Sequence, residues 1–143
     1  MTRETPSARR HARELAFRVA YQCDLTGDPP LEVWEGLRGG ERLSGDQAAL
    51  ADDLVRELYR HGGAVDAALR EALDRWPLER LAATDRAVLR AAVAELRVRA
   101  GTPARVVLDE AIDIARRFGT EESGRFVNGV LDRLARTLRP AEF

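Results

Sequence analysis

Thr102-Pro103-Ala104-Arg105-Val106-Val107-Leu108-Asp109-Glu110-Ala111-Ile112-Asp113-Ile114-Ala115-Arg116-Arg117-Phe118-Gly119 carries its own signals for the start and end of a helix. Threonine is a favoured N-cap and proline fits the first helical turn, where its missing N–H is no loss. Val107, Ala111, Ile114, Ala115 and Phe118 then recur at three- and four-residue steps, which places one apolar stripe inward. Gly119 ends the run, and a second helix follows from about Glu121 to Leu138 with Val127, Val130, Leu131, Leu134 and Leu138 inward.

The same period extends upstream. Thr84 precedes a helix with Val88, Leu89, Ala92, Val93 and Leu96 on one side, stopped by Gly101. Asp46 is the expected cap of a helix bearing Leu50, Leu54 and Leu58, and Gly62-Gly63 makes a break before Val65, Leu69 and Leu73 continue the stripe. A short helix around Leu31 to Leu37 buries Val33, Trp34 and Leu37. The first helix starts near Ser7, carries Ala12, Leu15, Ala16, Val19 and Cys23 inward, and ends where Asp28-Pro29-Pro30 forbids continuation. No run of β-branched and aromatic residues bounded by turn signals reads as a strand. The expectation is an all-α fold of about seven helices in two groups, 7–75 and 78–138, forming a single domain with a subdomain seam at Trp76-Pro77.

With 143 residues the chain has enough apolar surface for a core without staples. Cys23 is the single cysteine, and His11 and His61 are too far apart in sequence to suggest a zinc site, so no metal and no cofactor are expected. The start has no continuous apolar run and charges interrupt every apolar segment, so the expected location is the cytoplasm, without membrane insertion. No nucleophile–base pair, paired acids or phosphate-cradling glycine loop assembles, and no enzyme activity is expected.

All 23 basic residues are arginine. Their placement is uneven: residues 1–20 hold five Arg against two Glu, whereas 21–74 hold five Arg against twelve acids. That asymmetry points to a nucleic-acid surface on the basic part. At 100° per residue, Arg9, Arg10, Arg13, Phe17 and Tyr21 share a sector about 120° wide beside the apolar stripe. Arginine contacts phosphate and aromatic rings stack on unpaired bases, a mixture suited to single-stranded RNA. Phe17 and Tyr21 equally suit a widened core face, and the pattern leaves both readings open.

The last helix holds a second such group in Arg125, Phe126, Asn128 and Gly129. Glycine inside a helix costs about 1 kcal/mol relative to alanine and asparagine is also a poor helix former, so something besides helix formation selects them. Phe126 and Asn128 project to either side of the core face and Arg125 away from it; Gly129 is expected to serve close packing.

Ala8-Arg9-Arg10-His11-Ala12-Arg13-Glu14-Leu15-Ala16 resembles the arginine-rich first helix of the NusB transcription antitermination factors. The second half is similar to that family in order and spacing: Asp85 to Leu96, Pro103, Asp109 to Ala115, Phe118-Gly119, and Phe126-Val127-Asn128-Gly129-Val130-Leu131-Asp132. The resemblance covers almost the whole chain and is weakest over residues 25–75. It implies two packed three-helix subdomains and a non-enzymatic role in processive transcription of ribosomal RNA operons. Its implied partners are NusE, also a small-subunit ribosomal protein, boxA-type single-stranded RNA and the RNA polymerase antitermination complex. By motif position, Arg9, Arg10, Arg13, Tyr21, Arg125, Phe126 and Asn128 would face RNA, and Asp85 and Arg86 would lie near NusE. His11 stands where a further arginine is common in the family, and Gly124 where a longer polar residue is, which lowers the charge of both RNA-facing segments. Two other readings belong beside it. A NusB-like domain also forms the N-terminal part of some ribosomal RNA cytosine methyltransferases, and a helical module of this kind could bind only protein, as a homodimer through its first helix.

Overall fold

The computed structural model describes residues 6–143, with side chains from Ala8 onward. Helix α1 spans Pro6–Thr26, α2 Pro30–Arg38, α3 Gly45–Leu73, α4 Ala83–Val98, α5 Ala104–Phe118 and α6 Glu121–Leu138; two 3-10 turns lie at Leu78–Arg80 and Pro140–Glu142. The described residues are all-helical, with six α-helices where about seven were expected. None of these helices is long and apolar enough to cross a membrane. The side chain of Ser7, the expected first cap, lies outside the described residues.

Three caps differ from expectation. The cap of α3 is Ser44 rather than Asp46: its side chain accepts from Gln47 N at 3.1 Å while Gln47 Oε1 accepts from Ser44 N at 2.9 Å. This reciprocal pair satisfies two helix-end groups, which Asp46 inside the first turn could not do. At α4 the cap position is Ala82, two residues before the expected Thr84, and Thr84 falls inside the helix. At α5 the cap position is Pro103 rather than Thr102, so the proline precedes the helix and Ala104 is its first residue.

Gly62-Gly63 does not end α3. The helix instead kinks at His61, whose φ of −129° and ψ of 29° leave the helical region. Glycines weaken a helix without removing its hydrogen-bond donors, so the limb beyond the kink continues. The kink also sets the boundary between cores. Leu50, Ala51, Leu54 and Val55 pack with Ala12, Leu15, Ala16 and Val19 of α1 and with Val33 and Trp34 of α2. Beyond it, Val65, Leu69 and Leu73 join the core formed by α4, α5 and α6. The seam expected at Trp76-Pro77 is therefore a turn in the chain, and the change of packing partners falls at His61, because α3 is long enough to serve both cores.

Helix α4 is the common element. From Ala87 to Leu96 every residue except Arg90 is buried, with Ala91 and Ala94 facing the α1–α2–α3 core and Val88, Leu89, Ala92, Val93 and Leu96 facing α5 and α6. Small residues on one side and branched ones on the other allow helices to approach it from all directions. Arg139 closes the end of this helix: its Nε donates to Leu96 O at 3.0 Å, Nη2 to Arg99 O at 2.9 Å and Nη1 to Thr102 O at 2.8 Å. Those carbonyls lie at the exit of α4, where no helical donor is left for them.

Candidate nucleic-acid interface

The start of α1 presents three arginines in three different states. Arg9 is exposed, with no acid in ion-pair reach among the described residues, and borders a narrow cleft with Asp46, Arg99 and Thr102. Arg10 is about one-third exposed and binds α5, its Nε 2.7 Å from Glu110 Oε2 and its Nη2 2.9 Å from Asp113 Oδ2. The hydrogen bond to Glu110 raises its pKa further, against the opposing effect of burial. Arg13 is 6% exposed and fully engaged by Glu95, itself 2% exposed, through Nε at 2.8 Å and Nη2 at 2.8 Å. Arg13, expected to face RNA, is instead the pin between α1 and α4. Glu95 and Glu110 carried the missed signal: each sits in a buried stripe, where a carboxylate needs a cation.

The aromatic flank also divides. Phe17 is buried, with its ring centroid 4.9 Å from that of Phe118 and 6.1 Å from that of Tyr21. Tyr21 is half-buried against the same core. Phe118, expected inward, is 42% exposed. The Arg117 guanidinium lies 5.5 Å from its ring centroid and pairs with Glu14 of α1. Phe118 is the last residue of α5, where the helix has already passed the core and the ring is left over its rim.

On α6, Arg125 and Asn128 are exposed and Phe126 is half-buried against the core. Thr120 and Ser123 form a capping box that starts the helix, and Glu121 and Glu122 sit in the first turn, favourable for the helix dipole. The close-packing glycine is Gly124, not Gly129. A Cβ on buried Gly124 would fall 2.9 Å from Cγ and Nε of Arg116 on α5, whereas one on Gly129 would meet nothing within 4 Å. Arg125, Phe126 and Gly129 line an open groove with Arg75 and Trp76 from the end of α3. Asn128 lies on the other flank of the helix, about 160° around from Phe126.

The residues expected near a protein partner are Asp85 and Arg86. Arg86 is bound within the chain: its Nε donates to Asp24 Oδ2 at 2.8 Å, and its Nη1 to the carbonyls of Glu79 at 3.2 Å and Leu81 at 2.9 Å. Arg90 donates to the other oxygen of Asp24 at 3.1 Å and to Asp66 at 2.9 Å. Asp85 is half-buried, and its Oδ1 is buried with no hydrogen-bond partner. Of the pair, Arg86 has all three guanidinium nitrogens engaged, whereas Asp85 keeps an acceptor without a partner. Among the described residues no group of three His, Cys, Asp or Glu side chains converges as a metal site would require.

Known proteins are similar to this chain in sequence and in fold. The family model for the NusB family matches residues 10–136. The transcription antitermination protein NusB of Anaeromyxobacter dehalogenans is 42% identical over 139 residues, covering 94% of this chain and 95% of that protein. That of Bacillus mycoides is 41% identical over 132 residues, covering 91% and 98%. Among solved structures, T. maritima NusB superimposes with a TM-score of 0.82 at 33% identity, covering 95% of this chain and 93% of that one. A structure of the antitermination factors NusB and NusE in complex with double-stranded RNA gives a TM-score of 0.81 at 30% identity, covering 92% and 98%. Family model, relatives and fold agree over nearly the full length: the chain belongs to the NusB family.

Proposed function

We propose that this chain, as one NusB-like unit, is an RNA-binding transcription antitermination factor. With a NusE-type ribosomal protein it would hold boxA-type RNA and promote processive transcription by RNA polymerase in the cytoplasm, without enzymatic activity of its own. The observation that carries this reading is the exposed Arg125 beside half-buried Phe126 on α6, a cation with no ion pair among the described residues next to a ring that lines an open groove. Phosphate contact and base stacking need that combination. The structure in which a family relative is bound to NusE and RNA supports the choice of partners. Arg9, Arg10, Tyr21 and Asn128 would extend the RNA surface, with Arg10 shared between RNA and the acids of α5. Arg13 would act by positioning α1. On the protein side, Asp85 would supply the contact to NusE and Arg86 would hold the turn beside it.

Titrating fluorescent boxA RNA at several salt concentrations, with and without NusE, tests the reading. Arg9→Ala and Arg125→Ala should each weaken binding and reduce the salt slope by about one phosphate contact. Wild-type behaviour of both variants would overturn the assignment. A dimer indifferent to NusE and RNA would favour the protein-only module instead.

Glu122 offers a smaller test. It is exposed one turn before Arg125, so its charge opposes an approaching phosphate. In water such a repulsion is worth under about 1 kcal/mol, so Glu122→Gln should tighten RNA binding at low salt by about threefold. The gain should fade as salt screens the charge. An unchanged or weaker dissociation constant at low salt would count against it.

A further inference from the structure

The groove between the end of α3 and α6 has features that packing does not explain. Trp76 is 63% exposed, and among the described residues its ring has no aromatic or cationic partner. Arg75, Arg125 and Arg133 line the same groove, are exposed, and have no ion pair among the described residues; the single acid there is Asp74. Asp74 has a φ of +57°, the left-handed conformation that side chains other than glycine rarely adopt, and this turn delivers Arg75 and Trp76 to the groove. Gly129 lines the groove from α6, and a Cβ there would enter open space. A mid-helix glycine that forgoes about 1 kcal/mol of helix propensity without any packing return keeps that space clear.

We propose that this groove binds one unstacked nucleotide of single-stranded RNA, with the base on Trp76 above Gly129 and the phosphates on Arg75, Arg125 and Arg133. The inference rests on the RNA reading and extends it from α6 to the end of α3. Three cations against one acid suit a polyanion, and a bare aromatic face next to an empty glycine position suits a planar base. Every base has a π-face, so this contact tightens binding without selecting sequence, whereas Asn128 on the opposite flank can read a base edge.

The test uses the full chain, with NusE present, and a boxA-type single-stranded RNA. Gly129→Leu fills the groove at a position where nothing is in contact, so it should fold at least as stably as wild type while binding RNA about tenfold more weakly. Trp76→Ala should lose about as much, and Trp76→Phe should recover most of it. Intrinsic fluorescence gives a second readout, because Trp34, the other tryptophan, is 1% exposed. RNA should quench the emission of wild type and not that of Trp76→Phe. Wild-type RNA affinity in both Gly129→Leu and Trp76→Ala would overturn the groove assignment and leave Arg125 and Phe126 standing. Loss of NusE affinity with RNA affinity intact would show a protein groove and also overturn it. Failure of the wild-type protein to bind the RNA at all would overturn the RNA reading itself.

Discussion

Arg13→Ala is expected to lower folding stability by about 3–5 kcal/mol, because it leaves the buried Glu95 carboxyl group without its partner. Glu95 is 2% exposed and both of its oxygens accept from Arg13. The other residues around the pair are apolar side chains of α1, α3, α4 and α5, none of which can take the place of a guanidinium. Chemical denaturation should show the loss as a lower midpoint with little change in slope. Arg13→Met combined with Glu95→Leu should recover most of it, since removing both charges from an apolar site is often neutral or stabilising. Below the unfolding range, Arg13→Ala should keep the wild-type salt slope for RNA. A stable variant that loses one phosphate contact would instead return Arg13 to the RNA surface.

Arg13 also marks where sequence reasoning reaches its limit. Helical period, stop signals and apolar stripes are local properties, so the helical segments are legible in the sequence, although Gly62-Gly63 divides there what the fold keeps as the single helix α3; Val127, Val130, Leu131 and Leu134 are buried as their spacing implies. Ion pairing is not local. Arg10 meets Glu110 and Arg13 meets Glu95 across 100 and 82 residues of chain, and nothing in the arginine-rich helix itself separates those two from exposed Arg9. Gly129 differs from its expected packing role for another reason. Measured around α6 from Val127, Gly124 lies about 60° from the core direction and Gly129 about 160° from it. The position nearer the core is the one that meets α5, as the helical angle implies. In the sequence Trp76 reads as a joint in the chain; its exposure beside three arginines with no ion pair among the described residues gives it a further role.

Asp24→Ala should be the second most damaging of these substitutions, at about 2–4 kcal/mol, somewhat below a fully buried pair because the site is partly open to water. Asp24 bridges Arg86 and Arg90 at 18% exposure, and their side chains are 14% and 20% exposed. Removing the carboxylate leaves two adjacent guanidiniums to repel one another, although Arg90 keeps Asp66 and Arg86 keeps the carbonyls of Glu79 and Leu81. Those carbonyls belong to the turn that precedes α4, so the loss should loosen the segment carrying Asp85. Weaker NusE binding with RNA contacts on α6 intact is the expected functional consequence. The pH dependence supplies an independent check. Burial pushes the Asp24 carboxyl up, but hydrogen bonds from Arg86 and Arg90 outweigh it and hold the group below the ordinary carboxylate range. A carboxyl that is more acidic in the folded chain binds its proton more readily when unfolded, so its contribution is complete above about pH 4 and is lost as pH falls through the lowered value. Asp24→Asn should therefore narrow the stability gap to wild type as the solution is acidified below about pH 4. A gap that stays constant down to strongly acid pH would mean that the bridge depends on hydrogen-bond geometry rather than on the charge of Asp24.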